Sequence, residues 1–123
     1  MIEHDCCQIG VTYKATGNRD TATLEIAAIQ HRDAPFDIER VMLALRENSS
    51  IVDAWQSWSE DKRWSPAWYF STGPNGRWLV GYYHNDAHQR TETEFDDRFR
   101  ACATFILREL DDYSMILNSK PES

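Results

Sequence analysis

Ile9, Val11 and Tyr13 alternate with Gln8, Gly10 and Thr12, a period-two pattern that predicts a strand with one face inward and one outward. Gly17-Asn18 follows as a turn signal. Between Thr21 and Gln30, Leu24, Ile26 and Ala28 fall on one side and Glu25 on the other. This predicts a second strand joined to the first by a hairpin, although so Ala-rich a run also suits a helix.

Pro35 ends that segment, and Asp37 stands where a helix N-cap belongs, ahead of Ile38, Val41, Met42 and Leu45 at the spacing of one helical face. Phe36 is placed to pack against Val41 as a hydrophobic staple, and the helix is expected to end near Asn48. Val52, Trp55 and Trp58 recur at helical spacing before the charged run Glu60-Asp61-Lys62-Arg63, which predicts a second, short helix.

The C-terminal half has the strongest pattern. Trp68-Tyr69-Phe70-Ser71-Thr72 and Arg77-Trp78-Leu79-Val80-Gly81-Tyr82-Tyr83 are aromatic-rich strands on either side of Gly73-Pro74-Asn75-Gly76, a hairpin signal. A polar turn from His84 to His88 leads to a third extended segment, Arg90 to Phe95. A final helix then carries Phe99, Cys102, Ala103, Ile106, Leu110 and Tyr113 on one face, with Arg98, Arg100, Arg108, Asp111 and Asp112 elsewhere. Asp96 and Asp97 at its start suit both capping and the helix dipole. Beyond Leu117 the tail is polar, contains Pro121 and is expected to fray.

These elements predict an α+β fold: an antiparallel sheet of about five strands covered by two or three helices. With 123 residues, the chain is expected to be a single domain, 1–123, with a strand-strand-strand-helix unit at about 66–117. Five each of Trp, Tyr and Phe supply much of the core, since each aromatic side chain buries a large area.

Charge narrows the classes of partner. Twenty acidic against thirteen basic residues leave a net charge of -7, which opposes direct nucleic-acid binding because phosphate contacts need the other sign. Three cysteines, Cys6, Cys7 and Cys102, make no disulfide framework and read as reduced thiols. No apolar run reaches the length of a membrane span, and Met1 to Asp5 lacks a basic, apolar signal pattern, so a cytoplasmic protein without membrane contact is expected.

Catalytic chemistry finds little support. His84 and His88 flank a turn holding Asn85 and Asp86, but their spacing is loose for a zinc site. His4 with Cys6 and Cys7 does not match separated ligand pairs. No Gly-x-Ser-x-Gly elbow occurs. In Gly73-Pro74-Asn75-Gly76 the proline removes an amide donor, which fits a tight turn better than a phosphate cradle. No enzyme activity, metal or cofactor is expected.

Binding chemistry is better represented. Asp86, Glu92, Glu94, Asp96 and Asp97 fall within one turn-strand-helix corner, where complementary charge would speed association with a cationic partner and set its register. Of the five tryptophans, Trp68 and Trp78 on paired strands are expected in the core. Trp58 and Trp64, beside the charged run, are expected to be exposed anchors.

The aromatic strand, the Gly/Asn turn, Arg77-Trp78-Leu79-Val80-Gly81-Tyr82, the polar turn, Glu92-Thr93-Glu94-Phe95 and a helix with Ala101-Cys102 and Phe105 together resemble immunity proteins of bacterial polymorphic toxin systems, including contact-dependent growth inhibition. The resemblance covers about the last half of the chain. It implies a cytoplasmic protein that binds one cognate toxin domain, often a nuclease, and blocks its active site or the approach of its substrate. Two other readings stand beside it: a small-ligand or regulatory module with an aromatic pocket between sheet and helix, and a small hydrolase using His84 or His88 with Asp86.

Overall fold

The computed structural model describes residues 2–17, 21–60, 67–84, 86, 88 and 90–119. Four helices precede the sheet: α1 (Ile2–Thr16), α2 (Thr21–Asp33), α3 (Ile38–Glu47) and α4 (Ser50–Glu60). The strands β1 (Ala67–Thr72), β2 (Trp78–Tyr83) and β3 (Thr91–Phe95) follow, and α5 (Arg98–Ser119) closes the order. The fold is α+β with a three-stranded antiparallel sheet in the order β1-β2-β3.

Two expectations are corrected. Among the described residues the sheet has three strands where about five were expected, and there are five α-helices where two or three were. The difference lies in the segments expected as a first hairpin, which are α1 and α2. Among the described side chains of α1 the buried positions are Cys6, Cys7, Ile9 and Gly10, the turn-by-turn spacing of a helix. In α2 they are Leu24, Ala27 and Ala28, while Ile26 is 58% exposed. An alternating assignment would have put Ile26 inside; the helical one turns it to solvent.

Tertiary packing explains why α1 is helical despite Val, Thr and Tyr, which favour strands. The Trp55 indole lies across α1 at Gly10 and donates its Nε1–H to the Cys7 carbonyl at 3.0 Å. The glycine that costs the helix intrinsic stability is the one that admits the ring. At the end of α1, Gly17 adopts φ 73° and its N–H returns to the Tyr13 carbonyl at 2.7 Å, a left-handed helix stop that glycine takes without strain.

The other helices form where the pattern places them. Asp37 caps α3, its Oδ1 accepting the Glu39 N–H at 2.9 Å, and Asn48 is the C-cap. Asp97 caps α5 in the same way, accepting the Phe99 N–H at 2.8 Å. In α4, Ile51, Trp55 and Trp58 stack on one buried face.

That stripe corrects the expectation for Trp58, which is 1% exposed. It stands one helical turn beyond Trp55, so the same face that buries one buries the other, and the charged run begins only after it. Its indole Nε1–H donates to the buried Glu109 Oε2 of α5 at 3.0 Å.

Helix α5 is the hub, touching α2, α3, α4 and all three strands. Aromatic rings run through it from one side of the core to the other: Tyr13 against Trp58, Trp58 against Trp55, Trp55 against Phe105, Phe105 against Phe70, and Phe70 against Trp78, with centroids 5.2–6.2 Å apart. Each fully buried ring contributes about 1.5–3 kcal/mol, so this chain of contacts ties the helical and sheet layers into one core.

Candidate functional site

The register of the sheet sorts its side chains into two faces. Phe70 pairs with Val80 and Val80 with Thr93, and these, with Trp68, Tyr82, Trp78 and Phe95, face the helices. The alternate set, Tyr69, Ser71, Leu79, Gly81, Tyr83, Glu92 and Glu94, faces away. Leu79 and Tyr69 are half-buried there, and Tyr83 is 45% exposed.

The two sheet edges differ. At β1 the outward N–H of Phe70 is taken by Ser59 Oγ of α4 at 2.7 Å, so a helix closes that edge. At the other edge stands β3, whose Thr91, Glu92, Thr93 and Glu94 are all exposed.

One row crosses the outer face: Tyr69 on β1, Gly81 on β2 and Glu92 on β3 are directly paired. Because Gly81 has no side chain, the Tyr69 ring lies over it and its hydroxyl donates to Glu92 Oε2 at 2.5 Å. Burial first, then the hydrogen bond to Glu92 and its negative charge, push the Tyr69 hydroxyl from 10.0 up to about 12. Just before β2, Arg77 stands 2.8 Å from Asp96 Oδ1 and 3.9 Å from Glu94 Oε2.

The hairpin that carries Arg77 is shaped by its glycines and Asn75. Asn75 and Gly76 take φ 62° and 72°, the left-handed region these residues tolerate. The Gly73 N–H then closes on the Arg77 carbonyl at 2.7 Å. This sets Arg77 at the start of β2, in reach of the carboxylates at the end of β3.

The five acidic residues singled out in the sequence do not share one corner. Asp86 lies in the connection before β3, and Asp96 and Asp97 follow its far end. Five strand residues at about 3.3 Å each separate them, so the carboxylates form a strip along β3. Within the strip, Glu94 and Asp96 share Arg77, Glu92 holds Tyr69, and Asp97 caps α5 while meeting Arg46 Nη2 of α3 at 3.3 Å. Asp86 shapes its own turn, donating its N–H to His84 Nδ1 at 2.9 Å and accepting the His88 N–H at 3.0 Å.

Trp58 is not part of this surface, and Trp64 lies outside the described residues. Tyr69, Leu79, Gly81 and Tyr83 are the members that the sequence reading missed. The signal was present, since strict alternation within each of the two predicted strands places all four on one side.

Among the described residues, no group of three or more His, Cys, Asp or Glu side chains is placed to hold a metal ion. None of the described helices is long and apolar enough to cross a membrane. Compared with protein-family models, curated proteins and solved structures, the chain matches none.

Proposed function

We propose that this chain is an immunity protein, one that binds a cognate bacterial toxin domain and neutralises it by stoichiometric protein–protein inhibition in the cytoplasm. The observation that carries the reading is the outer face of the sheet, where Tyr69, Leu79 and Tyr83 lie beside an edge strand lined with carboxylates. Aromatic side chains with polar tips are the common anchors of protein interfaces, and the acidic strip supplies orientation toward a basic partner. A nuclease is the toxin class that fits best, because its phosphate-binding surface is positive and an inhibitor of charge -7 presents carboxylates where substrate phosphates would sit.

Asp86, Glu92, Glu94, Asp96 and Asp97 steer and register the toxin in this reading, with Tyr69 and Tyr83 as anchors in place of Trp58. The test is co-expression with the C-terminal domain of a large protein encoded next to this chain, read by pull-down and by host survival. A stable one-to-one complex that restores growth supports the proposal. In that complex Glu94→Lys should weaken binding about tenfold and flatten its salt dependence. Absence of both complex and protection removes the proposal, and unchanged affinity with an unchanged salt slope removes this face from it.

A further inference from the structure

The phase of the sheet's hydrogen bonds follows from one contact. The Phe70 N–H points away from β2, to Ser59 Oγ. Phe70 and Val80 are therefore a pair that exchanges no ladder bonds, and Tyr69 and Gly81 are a pair that does. A central strand turns successive residues to opposite neighbours, so Val80 bonds Thr93 of β3, while Gly81 and Glu92 pair without ladder bonds. By the same alternation, the N–H and C=O groups of Glu92 and Glu94 point out along the open edge of the sheet.

No described residue takes those four groups. Thr91, Glu92, Thr93 and Glu94 are all exposed. Neither a proline nor a bulge interrupts β3, two devices that close such an edge. Where Ser59 of α4 covers β1, the edge of β3 is left as a template on which a further strand can pair.

Charge decides which kind of strand. A residue bonded to the backbone of Glu92 or Glu94 lies directly opposite it and sends its side chain to the same outer face. A second copy of β3 paired through the same groups would set Glu92 or Glu94 against Glu92 or Glu94, and like charges so placed repel. A strand with Lys or Arg at two alternate positions meets both carboxylates instead. Nothing in the site has to be displaced. Glu92 holds the Tyr69 hydroxyl through one oxygen, and Glu94, with its side chain 55% exposed, stands 3.9 Å from Arg77.

Resting on the immunity reading, we propose that the toxin domain adds a strand of its own to the free edge of β3. This strand is an extended segment with Lys or Arg at positions i and i+2, set opposite Glu92 and Glu94. Main-chain hydrogen bonds to the backbone of those two residues hold it, and their carboxylates select the cationic sequence and its register. The sheet then runs across two molecules, and its outer face, with Tyr69 and Tyr83, continues onto the toxin.

The test follows amide hydrogen exchange by NMR in the isotope-labelled chain, alone and in complex with the toxin domain encoded beside it. In the free chain the Glu92 and Glu94 amides should exchange fast and the Thr93 amide, bonded to Val80, slowly. In the complex the first two should slow by about a hundredfold while Thr93 changes little. Glu94→Pro removes an outward N–H that no ladder bond uses, a change an edge strand accepts, whereas Glu94→Ala removes the carboxylate alone. Glu94→Pro should bind about tenfold more weakly than Glu94→Ala, with circular dichroism checking that each variant is folded. Edge amides that stay fast in the complex overturn the proposal, and so do equal affinities of the two variants, which would leave charge alone at work. A chain that dimerises by itself with these amides protected also overturns it, making a second copy the occupant. If no complex forms, the immunity reading falls and takes this inference with it; a complex that protects the host but leaves the edge amides open removes this inference only.

Discussion

Tyr69 reaches Glu92 by lying across Gly81. A Cβ placed on Gly81 would stand 2.4 Å from the Tyr69 ring and hydroxyl and 2.6 Å from the Thr91 backbone oxygen. The ring could swing away, but the backbone oxygen belongs to the neighbouring strand and could yield only if β3 moved. Gly81→Ala should therefore break the Tyr69–Glu92 hydrogen bond and loosen β3, costing about 1–3 kcal/mol by urea denaturation. A variant as stable as the parent would show that the row is not closed in this way.

The Tyr69 proton sets a dependence on alkaline pH. In the unfolded chain the hydroxyl ionises near its ordinary value of 10.0, and in the folded chain near about 12. Above pH 10 the unfolded state therefore gives up this proton first and gains relative to the folded state. The contribution of Tyr69 should be complete below pH 10 and be lost as pH rises toward 12. Denaturation at several alkaline pH values should show a shallower loss of stability in Tyr69→Phe than in the parent across that window.

Trp58 and Glu109 make a buried polar pair, 1% and 6% exposed. Trp58→Phe keeps most of the apolar contact but takes away a hydrogen-bond donor from a carboxylate enclosed by the core. The expected cost is about 2–3 kcal/mol, the penalty for under-satisfying a buried polar group added to the lost packing. Trp58→Phe with Glu109→Leu should be less damaging than the sum of the two single changes, a coupling that a double-mutant cycle measures.

Gly10→Ala sets two effects against each other. Alanine favours the helix by about 1 kcal/mol, but its Cβ would lie 2.8 Å from the Trp55 ring. That ring is fully buried and pinned to the Cys7 carbonyl, so it has little room to move. The clash should prevail and lower the thermal midpoint; a rise would mean that α1 can shift outward.

Cys6, Cys7 and Cys102 are all buried and unbridged. Burial pushes the Cys102 thiol well up, and nearby Cys7 adds to the shift. Since the thiolate is the reactive form, a thiol reagent should modify these cysteines only at the rate of unfolding. Labelling with urea-dependent kinetics checks this, and rapid labelling of the native chain would contradict it.

The C-terminal half was legible in the sequence because its signals are local. The turn at Gly73 to Gly76 fixes the hairpin, and Asp97 fixes the start of α5. The first two helices are not legible because Ile9, Val11 and Tyr13 alternate as a strand would over a short span, and the decisive fact, Trp55 seated on Gly10, joins residues far apart in the chain. The site was legible by half: charge marked Glu92 and Glu94, but only the register shows that Gly81 lets Tyr69 cross to them. The charges that follow Trp58 in sequence suggest exposure, but its helical phase with Trp55 places it on the buried face of α4.

Helix α5 follows every other described element in the chain, yet nearly all of them dock on it. A ribosome releases the chain in that same order. Trp55, Trp58 and Phe70 are therefore made before Phe105 and Glu109, groups they rest on. Trp55 and Trp58 already have α1 to rest on, at Gly10 and Tyr13, but the sides that meet Phe105 and Glu109 stay open until that last helix arrives. Damage to that helix, by truncation or frameshift, would leave the earlier segments fully synthesised with one wall of their core missing.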